Sequence, residues 1–160
     1  MLQDKNKIFE IFVFQILFCI FTHNILKLTL TNEEIIATDV IVPYYLNLRA
    51  DGIMYVRISS EKKETVELVK EMVNKMGEMV NYKQVPLLAR HEEFALPGKE
   101  NREYWAKKES CPYSKADAFM INSLALQLIA NFYLSFNKPE RPTRMFTNEV
   151  EAVKWLKTFL

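Results

Sequence analysis

Residues 116–156, ADAFMINSLALQLIANFYLSFNKPERPTRMFTNEVEAVKWL, read as strand, helix, strand, helix. Ala118, Phe119, Met120 and Ile121 make a short, nearly continuous apolar run, the pattern of a strand covered on both faces in a parallel sheet. Asn122 and Ser123 follow at once, and their side-chain oxygens suit the free amides of a first helical turn. The helix carries Leu124, Leu128, Ile129, Phe132, Tyr133 and Phe136, with Gln127, Asn131 and Ser135 interrupting its apolar surface. A helix apolar on most sides is expected to be buried on more than one face. Asn137 and Pro139 end it, because the residue before a proline is disfavoured in helical geometry. Residues 143–146 form the next strand. Thr147 caps the last helix, and Glu149 and Glu151 lie in its first turn, where negative charge suits the helix dipole. Ala152, Trp155, Leu156 and Phe159 have the spacing of one inward stripe. In such a core position, truncating Trp155 to Ala is expected to cost about 3–5 kcal/mol.

Upstream, residues 85–89 (VPLLA) form a short apolar strand with Pro86 near its start. A loop containing His91, Glu92 and Glu93 follows, and residues 100–109 form a polar helix that turns Tyr104 and Trp105 inward. An earlier helix opens at Ser60, with Glu64 in its first turn, and runs to about Val80. Val66, Val69, Met72, Met76 and Met79 keep core spacing along it, and the intervening Lys and Glu residues form a solvated face. Ala50-Asp51-Gly52 separates two strand-like runs, so residues 45–58 are expected to pair antiparallel. Residues 35–45 are rich in β-branched and aromatic side chains, with Pro43 at an edge or bend. Residues 25–30 alternate as a further strand.

Strands alternating with helices imply right-handed crossovers and a mostly parallel sheet, and the hairpin at the front makes the sheet mixed. The expected class is therefore α/β, with one domain over residues 31–160 of the 160-residue chain. Residues 1–30 are an apolar N-terminal extension. Within it, residues 8–21 are almost entirely apolar and follow Lys5 and Lys7. Three readings apply: an upstream extension or loosely docked helix, a membrane-associating segment, or a cleaved signal. With 21 basic and 20 acidic residues the formal charge is +1, so no global field recruits nucleic acid. Cys19 and Cys111 fit no zinc or redox spacing, and a reduced cytoplasmic protein is the simplest expectation. Membrane association through residues 8–21 is the alternative. The three glycines leave no glycine-rich phosphate loop.

From Tyr44 to Phe159 the chain resembles the uncharacterised bacterial STAS-like proteins of the Bacteroidetes type, related in fold to sporulation anti-sigma-factor antagonists. The resemblance rests on Phe136-Asn137-Lys138-Pro139, then Pro142-Thr143-Arg144 with Phe146-Thr147, then Ala152 with Trp155-Leu156. It implies a STAS-like mixed sheet with helices packed against it, and a regulatory or protein-interaction role. In STAS antagonists a serine after the central strand is phosphorylated by a partner kinase. The corresponding loop here, residues 90–99, contains no Ser or Thr. Ser123 lies after the next strand and reads as a helix cap.

No catalytic, cofactor or metal site is expected. His91-Glu92-Glu93 lacks a second ligand cluster and reads as a solvated loop. Cys111 has no histidine partner in sequence for thiol catalysis. Lys138, Arg141 and Arg144 surround two prolines and form the candidate contact for an anionic partner. Leu124, Leu128, Ile129, Phe132, Tyr133 and Phe136 are the candidate interface or apolar-ligand helix. The leading expectation is a non-enzymatic STAS-like interaction module that binds a protein partner or a second copy of itself. The alternative is a binder of an apolar or lipid-like molecule beneath residues 123–137, an idea that the topological likeness to CRAL-TRIO lipid-transfer domains also suggests. An enzyme is the third reading, and would need a cleft with convergent titratable groups.

Overall fold

A computed structural model describes residues 34–160. The apolar run at residues 8–21, the strand expected at residues 25–30, Cys19 and His23 lie outside the described residues. The remainder is α/β, built on a six-stranded mixed sheet in the order β1-β2-β3-β4-β5-β6. The strands are β1 (Ile35–Ile41), β2 (Tyr44–Arg49), β3 (Met54–Ile58), β4 (Val85–His91), β5 (Ser114–Met120) and β6 (Thr143–Phe146). The first three pair antiparallel and the last four pair parallel.

Residues 35–45 span β1 and the start of β2, and the bend expected at Pro43 is the turn of Val42 and Pro43 between them. The pairing expected for residues 45–58 is present, and Tyr44 begins it opposite Ile58. Gly52 closes that hairpin with a φ of 81°, a left-handed conformation in which a side chain is strained. Beside it, Arg49 is wholly buried and holds Asp51 with two bonds, Nε to Oδ1 at 3.0 Å and Nη2 to Oδ2 at 2.7 Å.

Side chains alternate across the sheet and assign its faces. Met54, Val56, Ile58, Leu87 and Ala89 pack against α1 (Val66–Met79) through Val69, Met72, Val73 and Met76. The same face carries α2 (Lys99–Trp105) and α3 (Leu124–Phe132). The opposite face carries α4 (Glu149–Leu156), which lies on β4, β5 and β6. Right-handed crossovers between sequential parallel neighbours send all their helices to one face, and among the described helices only the one after the last strand reaches the other.

Several boundaries differ from expectation. α1 starts at Val66, not Ser60, and Thr65 caps it by accepting from the Leu68 amide at 3.3 Å. Residues 60–65 offer no apolar stripe to dock, and Glu61 and Glu64 instead accept from the Tyr45 and Tyr44 hydroxyls. Asn148, not Thr147, caps α4 by accepting from Glu151 N at 3.2 Å. Ser123 caps α3 as expected, accepting from Leu126 N at 3.2 Å. Beyond Phe132 that helix widens into a π turn, Tyr133–Asn137, closed by the Lys138 amide on the Tyr133 carbonyl at 3.1 Å.

The inward stripe of α4 is also rotated from the expected one. Ala152, Val153 and Leu156 are buried, whereas Trp155 and Phe159 are half-buried. Trp155 lies between Phe146 and Phe159, at ring separations of 5.6 and 4.9 Å, on the flank of the helix. The full cost of truncating a core tryptophan therefore does not apply. Trp155→Ala is expected to cost about 2 kcal/mol in denaturant unfolding. Arg141, expected to meet an anionic partner, is instead buried at the end of the loop before β6. Its Nε and Nη2 bond Asp117 Oδ2 at 3.1 and 3.0 Å, and it also bonds the carbonyls of Trp105, Lys107 and Lys108. Breaking a buried pair leaves an uncompensated charge, so Arg141→Met is expected to cost about 3–5 kcal/mol. Adding Asp117→Asn should recover part of that loss in the same denaturant titration.

Candidate functional site

The candidate site is a cavity of about 90 Å³ between the sheet and the helices on the α1 side, partly open to solvent. Val56, Leu87 and Ala89 form its floor, and Met72, Leu126 and Ile129 enter from α1 and α3. It extends to the carboxyl ends of β3 and β4, where Ile58 and His91 end their strands. Ligands in open α/β sheets favour that end, at a switch in strand order. The order here is sequential and makes no switch, so the cavity lies under helices on one face.

His91 is not part of a solvated loop. It is the last residue of β4, on the same face as Leu87 and Ala89, and it is buried. Its ring lies 6.4 Å from that of Phe119. Burial pushes its pKa below the ordinary histidine value, and the Glu64 carboxylate opposes that shift without overcoming it. The imidazole is therefore neutral in the folded protein at neutral pH. Glu92, next along, pairs with Arg57 across the sheet end, and Glu93 is exposed. A period-two reading of Leu87, Ala89 and His91 was the signal that would have placed the histidine inside.

Glu64 stands at the same end of the cavity, just before the cap of α1. It accepts from the Tyr44 hydroxyl and from Asn101 Nδ2, each at 2.8 Å. Asn101 is buried although it belongs to the most polar of the described helices. Tyr133 lines the cavity from the π turn, with its ring 6.2 Å from Phe119. Its hydroxyl is buried without a hydrogen-bond partner among the described residues, and burial raises its pKa. Arg102 lines the cavity as well. Its Nη1 donates to the Pro97 carbonyl at 2.6 Å, while its buried Nε has no partner among the described residues.

The candidate helix divides into two faces. Tyr133 is buried and Ile129 half-buried toward the sheet. Leu124, Leu128, Phe132 and Phe136 are 71, 63, 45 and 72 % exposed, and lie four residues apart along the outer side. The expectation that this helix is buried on more than one face is therefore corrected: it packs once, against the sheet, and its other apolar stripe meets solvent. Of the three cations around the prolines, Lys138 and Arg144 are exposed, and Arg141 is spent on Asp117. They do not converge on one anion site.

The remaining reactive groups are held quiet. The Cys111 thiol is buried, 3.9 Å from Met76 Sδ, and burial pushes its pKa up to about 12. A protonated, enclosed thiol is a poor nucleophile. Burial likewise pushes the Asp117 carboxyl up, against the pull of Arg141 and of Ser114, whose Oγ is 2.5 Å from Oδ1. Among the described residues, no group of three or more His, Cys, Asp or Glu side chains could hold a metal ion. No helix among them is long and apolar enough to cross a membrane.

The depressed His91 pKa fixes the sign of a pH effect. A group that binds protons less readily when folded contributes stability that is complete above its unfolded pKa, near 6.5, and is lost as pH falls below it. Unfolding free energy should therefore fall on acidification below about pH 6.5, by at most ~1.4 kcal/mol per pH unit from this one group. His91→Gln should remove that part of the slope in denaturant titrations between pH 7 and 5.

A family model described as a domain of unknown function (DUF7793) matches residues 46–160. No curated protein and no solved structure matches the chain.

Proposed function

The chain belongs to this family, and we propose that its domain is a non-enzymatic interaction module that pairs with a second copy of itself through the outer face of α3. The carrying observation is the exposed stripe of Leu124, Leu128, Phe132 and Phe136. Phe132 and Phe136 stack on each other at 4.5 Å and form its broad end. Contiguous apolar surface of this kind on a monomer marks an interaction site.

The charge pattern favours self-association. Residues 123–137 contain no charged side chain. Two copies related by a two-fold axis bring the same patch together, and the stripe itself sets no like charges against each other, with Arg102 beside Phe132 at its margin. The non-enzymatic reading is supported by the state of the buried reactive groups: a protonated Cys111 thiol, and a neutral His91 with no hydroxyl or thiol bound to its ring. The regulatory part of the proposal follows the STAS resemblance, and a mixed sheet flanked by helices is compatible with it. Residues 92–98, between β4 and α2, contain no Ser or Thr, so phosphorylation of that loop is not part of the proposal.

Sedimentation velocity of the full chain tests the reading. The expected result is a dimer that Leu124→Lys or Leu128→Lys weakens by at least about 30-fold, the equivalent of about 2 kcal/mol at a central contact. Both residues are exposed, so the variants keep the monomer fold. A wild-type chain that stays monomeric, or a dimer that neither substitution weakens, overturns it.

A further inference from the structure

We infer that the cavity beneath α3 is a binding site for a small, uncharged molecule with an apolar body and one hydrogen-bonding group. Two independent observations meet there. The first is shape: apolar side chains from β3, β4, α1 and α3 leave about 90 Å³ unfilled under a helix. The second is chemistry: polar groups that line the space lack partners. Tyr133 is 5 % exposed, yet its hydroxyl bonds nothing. Arg102 Nε is buried and equally unsatisfied. His91 lines the same cavity, and burial disfavours its charged form.

A buried polar group without a partner costs free energy, and native proteins leave few of them. A ligand that supplies the missing partner while filling apolar space recovers that cost. Hydroxyl or carbonyl groups fit, since Tyr133 both donates and accepts and Arg102 donates. The charges argue for a neutral molecule. Glu64 and Arg102 are of opposite sign, Glu64 is already held by Tyr44 and Asn101, and Arg141 is neutralised by Asp117. An anion drawn to Arg102 would lose its hydration beside the Glu64 carboxylate, and a cation would meet a carboxylate already held by two donors. The size argues for a single ring or a short branched chain. An engineered cavity of about 150 Å³ encloses benzene, so a ring in this smaller space keeps one edge in the open side.

The isosteric pair phenol and toluene tests the site, with the full chain observed by NMR at the Trp105 indole and the Ile129 methyl groups. Phenol is expected to shift both signals saturably and to bind at least ten-fold more tightly than toluene. Tyr133→Phe removes only a hydroxyl that bonds nothing, so the fold is retained, and phenol affinity should drop to the toluene level while toluene affinity holds. No saturable shift with either probe overturns the inference. So does equal affinity for the two probes, or an unchanged phenol preference in Tyr133→Phe. The readout lies on inner residues, so it is separate from the self-association measured on the outer face of α3.

Discussion

The Asp117–Arg141 pair is the constraint on which the arrangement of the other parts depends. Both side chains are buried, and each would be costly alone. Together they satisfy each other: a carboxylate on β5 faces a guanidinium from the loop before β6, with Ser114 on the remaining oxygen. Arg141 then donates to the carbonyls of Trp105, Lys107 and Lys108, where α2 ends and a short 3-10 turn follows. One cation thereby joins the end of α2 to β5, the strand next to the β6 edge. The cavity wall formed by Arg102 and Trp105 takes its position from that tie.

α3 works differently, because no ion pair holds it; a cationic neighbour is the Arg102 guanidinium, 5.5 Å from the centre of the Phe132 ring. It stays on the sheet through Leu126, Ala130 and Tyr133, and its cap on Ser123 sets its entry. Its outer stripe is nearly as apolar as its inner one. The same helix thus roofs a cavity and presents a face to solvent. The proposed pairing and the proposed ligand site share this element but use opposite sides of it.

Much of the architecture was legible because it rests on period and punctuation. The apolar run before Asn122, the Ser123 cap and the Asp51-Gly52 turn each have one local cause, and the structure realises each of them. What the chain hid depends on contacts distant in sequence. Arg141 reads as one of three surface cations until Asp117, 24 residues away, is known to face it. His91 reads as loop because β4 extends two residues beyond its apolar run. Asn101 is buried for the sake of Glu64, 37 residues earlier, and no pattern within α2 announces it. Trp155 has the spacing of a core residue, but the small Ala152 sets how α4 rolls on the sheet and leaves the indole at its flank.

The sequential strand order has a kinetic consequence. Every strand pairs with the one made just before it, so no loop must close around an unformed neighbour. Pairing nearby segments incurs little closure entropy, and topologies of this kind fold faster than those built on distant pairings. The hairpin of β2 and β3 offers a starting edge, and each βα unit can add to the strand exposed by the last. α4 is the exception: it packs on the far face, across β4 and β5, and cannot dock until the sheet beneath it exists. The last helix of the domain is therefore also its last piece to dock, and it covers the far side of β4, β5 and β6 only once those strands are paired.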